Sequence, residues 1–382
     1  MYFVCFRVTI QLQNSSSLNY CYENIMYLTI VSDNLLIFNK ICLKSQNYLI
    51  FLQMSRQLRW GVAGVGMISH DFLTAMASLP ADQHKVIAIA EIIIHFLIAY
   101  FVPFTNRKRR SSNLFRVIPF SEIVFVSVLN MQHYEISKLM LENGKHVLCE
   151  KPIGMTYKQT KALVDLARER KLFLLEGMWS RFFPAYDALD KHLSAGGLGD
   201  IYHVNIQFGV EITDLEMKDL GGGAVLDLGI YMLQFLQFVY KEPPTDIVCT
   251  GHLSKVGVDE SISCVLKYSD GRTATIAAHT RATMTNRAEI TGTKGSIAMD
   301  YFWCPTVLHI SAANITEWTL PKGKYRFHFH NSAGLSYQIQ ECWDCINKDL
   351  LESPRMSLDE SVLLAKLMDT MRAQVGVLNT AT

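Results

Sequence analysis

Between residues 58 and 175 the chain alternates two hydrophobic rhythms. Short apolar runs at Leu58 to Gly64, Lys85 to Ala90, Ile123 to Leu129, His146 to Cys149 and Lys171 to Leu175 have the length and continuity of buried strands. Between them, apolar residues return every third or fourth position. Ile68, Phe72, Leu73, Met76 and Leu79 trace one helix, which Pro80 closes. His133 to Asn143 predicts a second, ended by Gly144. Thr156 and Gln159 form a capping box for a third, which runs to about Arg170. Strands and helices alternating across short links predict an α/β domain with a doubly wound parallel sheet over residues 54–176.

After Gly177 the rhythm changes. Arg181 to Leu193 is helical, but Asp200 to Glu211, Ile247 to Leu253, Ser261 to Tyr268 and Thr273 to Thr280 alternate apolar and polar positions. Turn residues such as Ser269-Asp270-Gly271 separate these runs. That pattern predicts a second domain over 177–382, an α+β unit with an open, mainly antiparallel sheet. Ser357 and Glu360 cap a last helix with an apolar stripe at Leu364, Leu367, Met368, Met371 and Val375.

Two stretches follow neither rhythm. Residues 1–53 are rich in Asn, Tyr, Ile, Leu and Ser and nearly free of acids, and they lack the basic start and cleavage site of a signal peptide. They read as an extension outside the fold, either disordered or added by a mistaken gene boundary. Glu91 to about Ser121 carries an apolar run, Ile92 to Phe104, and then the basic cluster Arg107-Lys108-Arg109-Arg110. The run is too short to span a membrane, which takes about 20 apolar residues.

Composition narrows the picture little further. With 382 residues, 49% of them hydrophobic, the chain can fill two cores, and a net charge of +1 signals neither nucleic acid nor an acidic membrane surface. Nine cysteines lack a disulfide framework. Cys342 and Cys345 form a lone C-x-x-C within a helical pattern, so the thiols read as reduced and the protein as cytoplasmic, with no metal site.

The chemistry begins at Gly61-Val62-Ala63-Gly64-Val65-Gly66-Met67-Ile68-Ser69, between a strand and a helix. Gly64 permits a tight turn and Gly66 a close backbone approach to a pyrophosphate. Met67 and Ile68 open a helix whose free N–H groups and dipole face that anion. In this setting the motif predicts dinucleotide binding. Glu91, at the end of the second strand, is placed to hold ribose hydroxyls and favours NAD. No basic residue follows it to grip the 2′-phosphate of NADP.

Glu150-Lys151-Pro152 follows a strand and so lies at the carboxyl edge of the sheet, where ligands bind in such folds. A lysine there can bond a substrate hydroxyl and favour its deprotonation. In Gly221-Gly222-Gly223-Ala224-Val225-Leu226-Asp227-Leu228-Gly229-Ile230-Tyr231, Asp227 and Tyr231 are four apart and share a helical face. A tyrosine whose phenolate is favoured by a nearby lysine is a candidate acid/base for hydride chemistry. Asp227 would orient the lysine or a substrate hydroxyl; the plainer alternative is that it caps the helix while Tyr231 packs in the core.

These motifs, with E-G-M-W-S-R-F-F-P-A at 176–185, V-D-E at 258–260, T-G-T-K-G at 291–295 and E-S-P-R-M-S-L at 352–358, resemble the dihydrodiol dehydrogenase branch of the glucose-fructose oxidoreductase superfamily over most of residues 54–375. The resemblance implies a Rossmann domain, a second domain that dimerises through its open sheet, and NADP as cofactor. It makes Lys151 and Tyr231 the catalytic pair and matches Asp227 to the family's aspartate. Glu150 and His133 would lie near the nicotinamide, Trp179 and Arg181 by the substrate cleft, with Phe182 as packing. Tyr231, where many superfamily members carry histidine, points to the dihydrodiol branch. The implied reaction oxidises a trans-dihydrodiol to a catechol, with related activity on sugars such as D-xylose. Glu91 to Ser121 departs from the family, which normally has an arginine after the second strand. Two alternatives stand beside this reading: a cofactor-binding or interaction protein that has lost turnover, and an NAD-dependent sugar or inositol dehydrogenase.

Overall fold

A computed structural model describes residues 8–12, 24–32, 35–43, 57–93, 96–101, 120–212, 221–311 and 313–377. The chain divides into two compact units, Met1–Met54 and Ser55–Thr382. The first contains three strands, β1 (Val8–Leu12), β2 (Asn24–Ser32) and β3 (Leu35–Leu43), paired antiparallel in that order. These strands lie in the stretch expected to be either disordered or added by a mistaken gene boundary. The apolar β-branched content of these runs suits strands even without clean alternation.

In the second unit, β4 (Leu58–Ala63), β5 (His84–Ile93), β6 (Phe96–Phe101), β7 (Ile123–Val126), β8 (His146–Cys149) and β9 (Leu174–Glu176) form one sheet in the order β6-β5-β4-β7-β8-β9. All neighbours are parallel except β5 and β6. Hence part of the anomalous apolar run is an antiparallel edge strand. A strand pairs its own backbone groups with the sheet, and an apolar segment without helical period can do that where a Rossmann helix cannot. The basic cluster at 107–110 lies outside the described residues. Helices α1 (Met67–Met76), α2 (Asn130–Glu142) and α3 (Tyr157–Arg170) connect the parallel strands. The Thr156 hydroxyl accepts the Gln159 N–H and caps α3.

The larger sheet has eight strands: β10 (Ile201–Gly209), β11 (Asp246–Leu253), β12 (Asp259–Lys267), β13 (Thr273–His279), β14 (Arg287–Gly292), β15 (Gly295–Asp300), β16 (Val307–Ser311) and β17 (Asn314–Glu317). Their order is β11-β12-β13-β10-β14-β15-β16-β17, antiparallel except for the β10–β13 pair. Cys249 and Cys264 sit directly opposite on β11 and β12 and are joined as a disulfide, contrary to the reduced thiols expected. Their pairing follows from cross-strand register, which a separation of 15 residues along the chain does not reveal. Cys342 and Cys345 are buried thiols on α6 (Leu335–Asn347).

The domains are not independent. Helix α4 (Pro184–Ser194), α5 (Ile230–Tyr240), α6 and α7 (Leu358–Val375) belong to the second half of the chain. Yet α6 packs on α1 and α7 packs on α3, and one hydrophobic core runs from Trp60 and Phe72 to Phe235 and Met371. Burying that shared face ties both halves together, so neither has a complete core alone.

Candidate active site

The order of the smaller sheet reverses at β4: β5 lies on one side and β7 on the other. The crevice beyond the carboxyl ends of β4 and β7 is where such sheets bind ligands. Gly64 leaves β4 there with φ +113°, and a Cβ on it would fall 2.2 Å from the Ser127 carbonyl oxygen that follows β7. Only glycine fits that approach. Ser127 also bonds Ser69 of α1, hydroxyl to hydroxyl at 2.8 Å, and so fixes the loop to the first turn of the helix. A Cβ on Gly66, by contrast, would meet nothing within 4 Å. Gly66 is the N-cap of α1, and no side chain caps that terminus. Val65 and Met67 are half exposed on either side. An open backbone with uncapped N–H groups fits a pyrophosphate. Glu91 lies on β5 opposite Ile98 of β6; its side chain falls outside the described residues.

Lys151 leaves the end of β8 and reaches across to the second domain. Its Nζ donates to the Asp227 carbonyl oxygen at 3.0 Å, lies 3.7 Å from Asp227 Oδ1 and stands 5.0 Å from the Tyr231 ring centre. Asp227 and Tyr231 are not on one regular helix. Asp227 belongs to a π-helical turn, Ala224–Gly229, and Tyr231 to the start of α5. Such turns often mark functional sites because they present a side chain that a regular helix would turn away. The Asp227 carboxylate does two jobs. Oδ2 accepts the Gly223 N–H at 2.9 Å and caps the turn; Oδ1 faces Lys151 and accepts from Asn130 Nδ2 at 3.2 Å. Trp179 Nε1 donates to the Tyr231 hydroxyl at 2.9 Å. That bond takes a lone pair and leaves the phenol's own proton available to a substrate.

Electrostatics here differ from the expectation. Burial, then the nearby Glu150 carboxylate, pushes the Tyr231 phenol well above its ordinary range. Lys151 sits against the ring rather than on the hydroxyl, so desolvation wins over cationic assistance. Burial likewise pushes Glu150 up to about 7, against the pull of Lys151.

Two expected site residues lie elsewhere in the architecture. His133 is buried, with Nδ1 2.7 Å from the Pro152 carbonyl oxygen and Nε2 3.1 Å from that of Val128. It holds the Lys151-Pro152 loop against α2; the neutral ring has one N–H to donate, and both of its nitrogens face backbone carbonyls. Burial is the main cause of its lowered pKa. Arg181 is also buried. Its Nε donates to Gln234 Oε1, Nη1 to the Arg355 carbonyl and Glu360 Oε2, and Nη2 to the Gln234 carbonyl and Glu360 Oε1. All five N–H groups are used, so Arg181 ties its 3-10 turn to α5 and α7 instead of facing substrate. Phe182 is core packing, with the Arg355 guanidinium 5.4 Å from its ring centre.

Sequence reasoning missed three participants. Asn130 bridges the Gly221 carbonyl and Asp227 from 91 and 97 residues away, a distance no spacing rule covers. Asp259, 2% exposed, accepts the Val225 N–H at 2.6 Å and anchors the π-helical turn; burial pushes it up to about 6. A Cβ on Gly223, at φ +149°, would fall 2.2 Å from Asp259 Oδ1. Glu176 holds the Ile153 N–H from the end of β9.

With this geometry in place, family models decide the lineage. Residues 58–178 match the oxidoreductase family with an NAD-binding Rossmann fold, and residues 186–298 the GFO/IDH/MocA C-terminal domain. The chain belongs to the GFO/IDH/MocA oxidoreductases. It is 36% identical over 328 residues to trans-1,2-dihydrobenzene-1,2-diol dehydrogenase of Xenopus tropicalis, covering 84% of this chain and 98% of that one. The Homo sapiens protein of the same name is 34% identical over 329 residues, covering 84% and 97%. Among solved structures, an aldose–aldose oxidoreductase from Caulobacter crescentus, complexed with glycerol, superposes with a TM-score of 0.68 at 20% identity over 84% of this chain and 97% of that chain. A 3-ketoreductase from Actinomadura kijaniata, in complex with NADP and TDP-benzene, gives 0.66 at 23% identity over 84% and 98%. As a family member the protein is a nicotinamide-dependent dehydrogenase acting on a small molecule. No helix among the described residues is long and apolar enough to cross a membrane.

Proposed function

We propose that this dehydrogenase oxidises trans-dihydrodiols to catechols with NADP, with D-xylose and similar sugars as related substrates. The observation that carries the reading is the convergence of Lys151, Asp227 and Tyr231, with Trp179 bonded to the tyrosine hydroxyl, beyond the carboxyl end of β8 in the sheet that also carries the glycine loop. The nicotinamide nucleotide supplies the hydride acceptor. Gly64, Gly66 and the first turn of α1 would hold its pyrophosphate, and Glu150 would contribute to the cofactor site. Lys151, held by Asp227, donates to the diol hydroxyl being oxidised, which makes that proton easier to lose. Tyr231 exchanges the proton and Trp179 fixes its hydroxyl; the indole face suits a flat ring. The hydroxy-dienone left by loss of hydride and proton tautomerises to the catechol. In the reverse direction the raised pKa keeps Tyr231 protonated, the form that can donate to a carbonyl being reduced. We further place the working unit as a homodimer formed through the open face of the eight-stranded sheet.

Glu91 on β5 supports a second reading, an NAD-dependent sugar or inositol dehydrogenase, because a carboxylate there suits ribose hydroxyls and repels a 2′-phosphate. Titrating the protein with NADPH and with NADH, following nicotinamide fluorescence, separates the two. Tighter NADPH binding is expected; binding of NADH alone transfers the assignment to the second reading. Binding of neither would leave a family fold without turnover. Given binding, Tyr231→Phe and Lys151→Met should each lower kcat by about 10²–10⁴-fold, the range of acid/base assistance, while NADPH still binds.

A further inference from the structure

Helix α1 carries a second cluster, one turn beyond the glycine loop. Asp71 is fully buried, and its carboxylate reaches the segment that precedes α6, 257 residues away. Oδ1 accepts the His328 N–H at 2.9 Å and Oδ2 the Phe329 N–H at 2.9 Å. These bonds account for the burial of the carboxylate. They do not account for the two imidazoles on its outer side. His70 Nδ1 lies 3.2 Å from Asp71 Oδ1, and the rings of His70 and His328 stand 4.7 Å apart at 76°. One ligand atom from each of the three side chains falls within 4.8 Å of the others.

We propose that His70, Asp71 and His328 form a binding site for zinc or a similar divalent transition metal, which staples α1 to the segment before α6. Two ligand atoms on a tetrahedral ion, each about 2.0–2.1 Å from it, lie roughly 3.3 Å apart, close to the His70–Asp71 separation. Two nitrogens and one oxygen suit zinc, cobalt or nickel and not the all-oxygen preference of calcium or magnesium. Backbone N–H groups already orient the carboxylate, as outer-sphere partners do in built metal sites. His70 is 44% exposed, so an ion and a completing water can enter from solvent. The third ligand comes from a distant part of the chain, so the site binds only the folded protein and stabilises it.

The test is a cobalt(II) titration of the chelator-treated full-length protein, followed by d–d absorption and then by zinc displacement. One equivalent with the intensity of a tetrahedral centre is expected, together with a zinc-dependent rise in melting temperature. His70→Gln and His328→Gln replace exposed or edge side chains and leave the Asp71 carboxylate bonded to backbone. Each should weaken cobalt binding about tenfold or more, and the double variant should abolish both the absorption and the thermal shift. Saturable binding of equal strength in the double variant, or none in the wild type, overturns the assignment. Neither readout depends on nicotinamide binding or turnover, so this site stands or falls separately from the proposed dehydrogenase activity.

Discussion

Gly64 and Gly66 are two positions apart in one motif, yet the structure asks different things of them. At Gly64 a methyl group meets a backbone carbonyl at 2.2 Å in a left-handed conformation; at Gly66 it meets open space. Gly64→Ala should therefore destabilise the fold itself by about 2–6 kcal/mol, the sum of backbone strain and overpacking. Gly66→Ala should leave the melting temperature unchanged and weaken NADPH binding about tenfold or more, the equivalent of ~1.4 kcal/mol. Thermal denaturation and fluorescence titration of both variants check the pair; equal destabilisation would refute the division of labour. Glu150 offers a pH test at the same scale. Its folded pKa, about 7, lies above its ordinary value of 4.5. The folded state therefore holds the proton more tightly, and stability from this group is full below pH 4.5 and lost as pH rises through 7. Glu150→Gln removes that loss. The melting-temperature difference, variant minus wild type, should increase from pH 4.5 to 7; a flat difference contradicts the assignment. Lys151, Tyr231 and Gly64 were legible in sequence because a motif fixes their local geometry. His133 and Arg181 were visible as residues but misplaced in role, since what consumes their nitrogens comes from Pro152, Gln234, Arg355 and Glu360.

At the scale of elements, the strands and helices of the parallel sheet follow their hydrophobic periods closely, and the capping Thr156 and Ser357 fall where the pattern put them. Two elements were hidden. The π-helical turn at Ala224–Gly229 depends on Asp259, whose strand lies beyond α5, so no local period announces it. Edge strand β6 shows only as an apolar run without helical spacing. Arg181 ties three elements together and yields a prediction. Its guanidinium is buried with the Glu360 carboxylate, 15% exposed, as ion partner. Arg181→Gln should cost about 3–5 kcal/mol, because one buried charge is left without its partner. Urea denaturation measures that loss. A substrate-binding arginine would instead raise KM with little change in stability, so a variant of normal stability and raised KM restores the residue to the cleft.

On the scale of the whole molecule, the question is what covers the eight-stranded sheet. Helices α5 and α7 bury one face, through Ile206, Ile262, Leu266 and Ile276. Alternation turns the other residues outward, and there Val248 and Val265, directly paired across β11 and β12, are 61% and 45% exposed. Eight strands about 4.8 Å apart and four to nine residues long offer a face of roughly 700–1,000 Å². A stable complex buries about 800 Å² per partner, so the face is large enough for one isologous contact with a second copy. Its chemistry fits that role. Thr275 bonds Asn205 at 2.8 Å, and His203 meets Thr273 at 2.9 Å, which satisfies polar groups within the face, and on the neighbouring strands Arg287 pairs with Glu289 and Asp300. Val265→Arg places a charge on the outward face of β12, next to the edge strand β11, without touching the core beneath. It should convert a dimer to a monomer in analytical ultracentrifugation, with an unchanged far-ultraviolet spectrum and unchanged NADPH affinity, because Lys151 and the glycine loop lie in the crevice of the other sheet. A wild-type protein that sediments as a monomer, or a variant that remains dimeric, would move the association to another surface.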